Sequence, residues 1–100
     1  MLVNGIPGNT ISIRDRGLLY GDGVFRTLRA SNGQAMHWPQ HYQKLQHDCN
    51  ALGIACPDIA VLSAELNRLL GHHPNAVLKL IVTRGQGARG IPGDAEFDVP

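Results

Sequence analysis

The sequence predicts an α+β domain, a mostly antiparallel sheet with two helices packed on one face. Three observations carry that expectation. Short β-like segments bounded by Asn-Gly and Pro-Gly turns fill the first third of the chain. Two stretches of helical period follow, and a nearly continuous apolar run then precedes a glycine-rich loop. Strands and helices are therefore segregated along the chain, which is the pattern of helices gathered on one side of a sheet.

Taken in order, Met1-Leu2-Val3 reads as a short strand stopped by the turn signal Asn4-Gly5. Pro7-Gly8-Asn9 adds more turn chemistry, and Thr10-Ile11-Ser12-Ile13 alternates with period two as a second strand. A loop is expected from Arg14 to Gly23, where glycines on both sides of Asp22 free the backbone around one carboxylate. Val24 to Ala30 is β-like, with Phe25, Thr27 and Arg29 on one face and Val24, Arg26 and Leu28 on the other. Neither face is purely apolar, so one of them is expected to line a wet cavity or an interface. Asn32-Gly33 then turns the strand back onto Gln34-Ala35-Met36.

From residue 38 the period becomes helical. Pro39 suits the first turn, and Trp38, Tyr42, Leu45, Cys49 and Leu52 form one stripe, with His41, Lys44 and Asp48 along its flank. Gly53 closes this helix, and Ile54 is placed to tuck beneath its end. A second helix starts near Asp58, buries Ile59, Leu62, Leu66, Leu69 and Leu70, and stops at Gly71. Ala76 to Thr83 suits a central strand with one intrusion, Lys79, whose ammonium needs a partner or a cavity. Asp94 to Pro100 resembles a strand entering a proline turn, an ending expected of a fragment.

Composition narrows the functions. With 43% hydrophobic and 17% charged residues, the chain is expected to be one soluble globular domain. A net charge of +1 gives no electrostatic case for nucleic acid or a membrane surface. No apolar run approaches a membrane span and no leader pattern opens the chain, so a cytoplasmic location is expected. Cys49 and Cys56 read as reduced thiols, His72-His73 as solvated, and no metal site is expected. No Ser, His and Asp set or carboxylate pair forms a catalytic group. The run Arg84-Gly85-Gln86-Gly87-Ala88-Arg89-Gly90 has an anion-binding composition, but a hairpin loop with solvated arginines fits it equally well.

Four motifs together resemble a known family. They are Asp15-Arg16-Gly17-x-x-Tyr20-Gly21-Asp22-Gly23-Val24-Phe25, Asn32-Gly33, His41-x-x-Lys44-Leu45 and Thr83-Arg84-Gly85-x-Gly87-x-Arg89-Gly90. In this order they resemble the N-terminal small domain of fold-type IV pyridoxal-phosphate enzymes, which share the D-amino acid aminotransferase-like fold. The group includes branched-chain and D-amino acid aminotransferases and 4-amino-4-deoxychorismate lyase. The run Leu78 to Gly85 and the cysteine-bearing first helix look most like the lyase, which forms 4-aminobenzoate and pyruvate for folate synthesis.

The resemblance implies that residues 1–100 are the small domain only, with the Schiff-base lysine on a larger domain outside this chain. No catalytic residue is then expected here, and the fragment alone is expected to be inactive. Lys44 falls where the family places an arginine on the cofactor phosphate, supplying a point charge in place of a fork. Phe25 falls at a substrate-side wall, while Lys79 and Arg89 match positions that hold substrate carboxylates. The intact enzyme is expected to be a homodimer acting on aminodeoxychorismate, and the isolated fragment to self-associate. An aminotransferase of the same fold is the first alternative. A free-standing module that binds anions or a partner protein is the second.

Overall fold

A computed structural model describes residues 1–86. Its order is β1 (Leu2–Val3), β2 (Ile6–Pro7), α1 (Arg16–Tyr20), β3 (Gly23–Ser31), β4 (Gln34–Ala35), α2 (Trp38–Leu52), α3 (Ile59–Leu70) and β5 (Ala76–Thr83). β1 and β2 form a separate two-stranded ribbon, and the main sheet runs β4-β3-β5 with antiparallel pairing. The expected α+β architecture is the one observed.

Both Asn-Gly turns work as the sequence indicates. Asn4 and Gly5, and again Asn32 and Gly33, take positive φ, as the twist of a two-residue hairpin requires. The first turn also explains a correction. A two-residue loop hands the pairing to the residues that follow at once, so Ile6–Pro7 partners Leu2–Val3. Thr10 to Ile13 is left outside any strand despite its alternation, with Ile11 and Ile13 exposed.

The expected loop at Arg14 to Gly23 holds a short helix instead. Asp15 caps α1 by accepting from the Gly17 N–H at 2.7 Å, and Gly21 ends it in the left-handed conformation. The Arg16 guanidinium lies 4.6 Å from the centre of the Tyr20 ring, adding a local contact across the helix.

Helices α2 and α3 fall where their periodicity puts them, except that Ile59 in the first turn of α3 is exposed and not buried. Leu45 and Cys49 are completely buried, Trp38 and Tyr42 half-buried, and Leu52 at the end of the stripe is exposed. At the end of α2, Gly53 is left-handed and the Ile54 N–H reaches back to the Cys49 carbonyl at 2.8 Å, burying Ile54. Gly71 ends α3 in the right-handed region, so no left-handed cap forms there. Leu45, Cys49, Ile54, Leu62 and Val82 form the core, with Val24 and Leu80 against it, so α2 and α3 cover one face of the sheet.

The β3–β5 ladder sets which residues share the other face. It pairs Gly23 with Thr83, Phe25 with Ile81, Thr27 with Lys79 and Arg29 with Val77. β3 is therefore the central strand, and β5 is an edge among the described residues, not the expected centre. Lys79 is not a buried charge, because strand alternation puts it on the open face with Val77 and Ile81.

Gly23 is a close-approach position. A Cβ there would lie 2.8 Å from the Val82 carbonyl oxygen and 3.2 Å from the Thr83 Cα, both backbone atoms that cannot rotate away. Gly23→Ala should destabilise the protein by about 1–3 kcal/mol, the usual cost of forced overpacking. A melting temperature unchanged from wild type would contradict this.

Candidate functional site

The open face of the main sheet gathers Phe25, Thr27 and Arg29 from β3 with Val77, Lys79 and Ile81 from β5. Phe25 and Ile81, a cross-strand pair, are 59% and 60% exposed and form an open apolar area, which the Thr27–Lys79 pair separates from Val77, itself 67% exposed. Lys79 Nζ stands 4.8 Å from the centre of the Phe25 ring. The face therefore combines an aromatic wall with a cation beside it. Two expected site residues, Phe25 and Lys79, are brought together here, while Arg89 lies outside the described residues.

The opposite face of β3 supplies a second cationic group. Arg26 Nη2 is 3.0 Å from His41 Nδ1. Because a guanidinium can only donate, Nδ1 is the acceptor and the ring proton sits on Nε2. Burial, then the nearby Arg26 and His37 charges, lower the His41 pKa and keep the imidazole neutral at physiological pH. Among the described residues, Arg26 Nε is buried without a hydrogen-bond partner. The parity of β3 puts Arg26 on the inner face, but nothing in the sequence pairs it with a residue 15 positions away.

Lys44 follows His41 by one helical turn on the same flank of α2. Its ammonium is half-exposed and meets Asp48 at 3.1 Å. An exposed i,i+4 pair of this kind contributes only about 0.3–0.5 kcal/mol, so it leaves Lys44 available to a stronger anionic partner. Arg26 and the neutral His41 are thus joined between β3 and α2, and Lys44 stands one turn further along the same helix. The chemistry of these donors fits a phosphate group, and among the described residues Arg26 Nε has no partner of its own.

Asp22 and Arg84 take roles the sequence left open. Asp22 Oδ2 accepts from Arg16 Nε at 3.0 Å and from Arg84 Nε at 2.5 Å, and Oδ1 accepts from Arg84 Nη2 at 3.2 Å. The Arg84 hydrogen bonds lower the Asp22 pKa, and the Arg16 interactions add to this, together outweighing the opposing effect of burial. A depressed carboxyl contributes stability fully above its ordinary value of 3.8 and loses it as pH falls through the lower folded value. Asp22 is thus a permanently ionised strut at neutral pH, not a proton-transfer group.

The two cysteines are free thiols. Burial, then the neighbouring Cys56, push Cys49 up to about 11, so its thiol stays protonated and inert. His72 and His73 are exposed. Among the described residues, no helix is long and apolar enough to cross a membrane.

The amino-transferase class IV family matches residues 23–99. The chain is 35% identical over 89 residues to an aminodeoxychorismate lyase from Vibrio harveyi, covering 88% of this chain and 32% of the relative. It superposes on the 4-amino-4-deoxychorismate lyase of Pseudomonas aeruginosa with a TM-score of 0.80 and 42% identity, covering 93% of this chain and 34% of that one. A hypothetical aminotransferase from Mycobacterium tuberculosis in a PLP-bound form gives a TM-score of 0.68 at 26% identity, covering 92% of this chain and 33% of that one. The chain spans about a third of the length of each of these proteins.

Proposed function

Because the chain belongs to the amino-transferase class IV family, we propose that it forms the small domain of a pyridoxal-phosphate-dependent aminodeoxychorismate lyase. The enzyme would convert 4-amino-4-deoxychorismate to 4-aminobenzoate and pyruvate in folate synthesis, as a cytoplasmic homodimer. The observation that carries this reading is the open sheet face, where Lys79 stands over Phe25. A cation beside an aromatic wall suits a ring-bearing, carboxylate-rich substrate. Likeness to lyases at 35% and 42% identity supports it. An aminotransferase of the same fold is the second reading, supported by the likeness to the Mycobacterium tuberculosis protein.

Within this assignment the domain binds and orients. Lys79, with Arg89 from the glycine-rich loop, holds substrate carboxylates, and Phe25 forms the wall that keeps the ring in place and water out. Lys44, one turn along α2 from His41 and its Arg26 contact, holds the cofactor phosphate. When bound, the cofactor supplies an electron sink for bond cleavage next to the substrate amino group. Proton transfer and the Schiff-base lysine belong to the larger domain, and none of the described residues is assigned to them.

The full-length protein should release 4-aminobenzoate and pyruvate from 4-amino-4-deoxychorismate. Amino transfer to 2-oxoglutarate with no 4-aminobenzoate would replace the lyase reading with the aminotransferase one. Neither reaction would favour a non-catalytic anion-binding module.

A further inference from the structure

Hydrogen bonds converge from three directions on the point where β5 leaves the sheet. Arg84 is held sideways by Asp22, and its far end donates to the last carbonyls of α2, with Nη2 on Leu52 O at 2.6 Å and Nη1 on Gly53 O at 3.0 Å. Those carbonyls are the negative end of the helix dipole, so a guanidinium is well placed there. The backbone repeats the tie, with Arg84 N–H on Asp22 O at 3.1 Å and Arg16 N–H on Gly85 O at 2.7 Å. Thr83 Oγ1 donates to Asp15 Oδ2 at 2.9 Å and accepts from the Gly85 N–H at 3.0 Å.

Both polar groups of the Gly85 backbone are thereby engaged, and its φ of +77° is one that favours glycine. The direction in which the chain leaves β5 is fixed by α1, by the end of α2 and by one carboxylate. Arg84 is also taken away from ligands. Its side chain is only 14% exposed, paired with a carboxylate that is 16% exposed. Of the two arginines in the glycine-rich run, Arg84 is therefore not free to hold an anion.

We propose that Asp22 is a positioning residue. By locking Arg84, which follows β5, to the end of α2 and to the residue that precedes β3, it ties the ends of the two strands together and so holds Lys79 on β5 in place beside Phe25 on β3. This rests on the substrate-binding role given above to the sheet face, but the clamp itself can be tested without any substrate.

The test is Asp22→Asn in the full-length protein, read in two ways. Amide hydrogen exchange of the segment from Thr83 to Gln86 should speed up by roughly tenfold or more, as expected when charge-assisted hydrogen bonds are weakened. Exchange in β3 should stay as in wild type. KM should rise roughly tenfold for whichever carboxylate substrate the protein turns over, with kcat changed less than about twofold.

Exchange at Thr83 to Gln86 equal to wild type would overturn the clamp. Faster exchange with an unchanged KM would overturn the positioning role, and an equal fall in kcat and kcat/KM would make Asp22 something other than a binding-geometry residue. If Asp22→Asn fails to fold, Arg84→Lys serves instead. It keeps the charge facing Asp22 but loses the fork to Leu52 and Gly53, and should move both readings the same way by smaller factors. Turnover by amino transfer in place of 4-aminobenzoate release would refute the lyase assignment while leaving both readings of the clamp intact.

Discussion

In the proposed lyase, replacing Lys79 with alanine should raise KM for aminodeoxychorismate roughly 10- to 100-fold, the usual effect of losing a charge-assisted contact to a carboxylate. The fold should tolerate the change. Lys79 is exposed on the open sheet face, and its contact with the Phe25 ring contributes only about 0.5–1 kcal/mol. Lys79→Arg, which keeps the charge, should recover most of the affinity. Steady-state kinetics on the three proteins decide the matter. A KM for Lys79→Ala within twofold of wild type would remove the residue from the substrate site.

Leu45→Ala should have the largest effect on stability. Leu45 is fully buried beside Cys49, in the seam where α2 meets α3 and the sheet. Removing a leucine side chain from such a position costs about 2–5 kcal/mol, through lost transfer energy and the cavity left behind. A domain of this size has a total stability of about 5–15 kcal/mol, so the loss is a large share of it. The melting transition should fall by roughly 10 °C or more, measured by calorimetry. A fall of less than 2 °C would mean that the site collapses around the gap. Cofactor affinity should weaken in parallel, because α2 carries Lys44 and His41 on the flank beside this stripe.

Elements whose signal is local were legible in the sequence. The apolar stripes of α2 and α3 repeat with the turn of a helix, and the Gly53-Ile54 ending is a local chemical pattern. The parity of β3 separated Phe25 from Arg26 correctly, because alternation depends only on being in a strand. Helix α1 was missed since glycines at 17 and 21 argue for a loop, while the Asp15 cap and the Arg16–Tyr20 contact are what hold five residues helical. Thr10 to Ile13 was misread because alternation shows fitness for a strand but says nothing about a partner.

The site divides the same way. Phe25 and Lys79 could be named from motif and parity, yet their contact depends on a register that joins residues 54 positions apart. Asp22 and Arg84 are 62 positions apart, and Arg26 and His41 are linked through a packed helix face. No spacing rule reaches across such distances. A small hint was available: an arginine immediately after an apolar strand needs an acceptor, and Asp22 stood between two glycines without another role.

The position of Lys79 in the β3–β5 ladder also bears on how the chain reaches its fold. Sliding β5 by one residue would turn Leu78 and Leu80 outward and drive the Lys79 ammonium under α2, where an unpaired charge costs several kcal/mol. A strand of eight mostly apolar residues could otherwise settle in several registers of similar energy. The lysine thus specifies the register, because a one-residue slip would bury its charge. A side chain proposed to meet substrate would also hold the two strands in step.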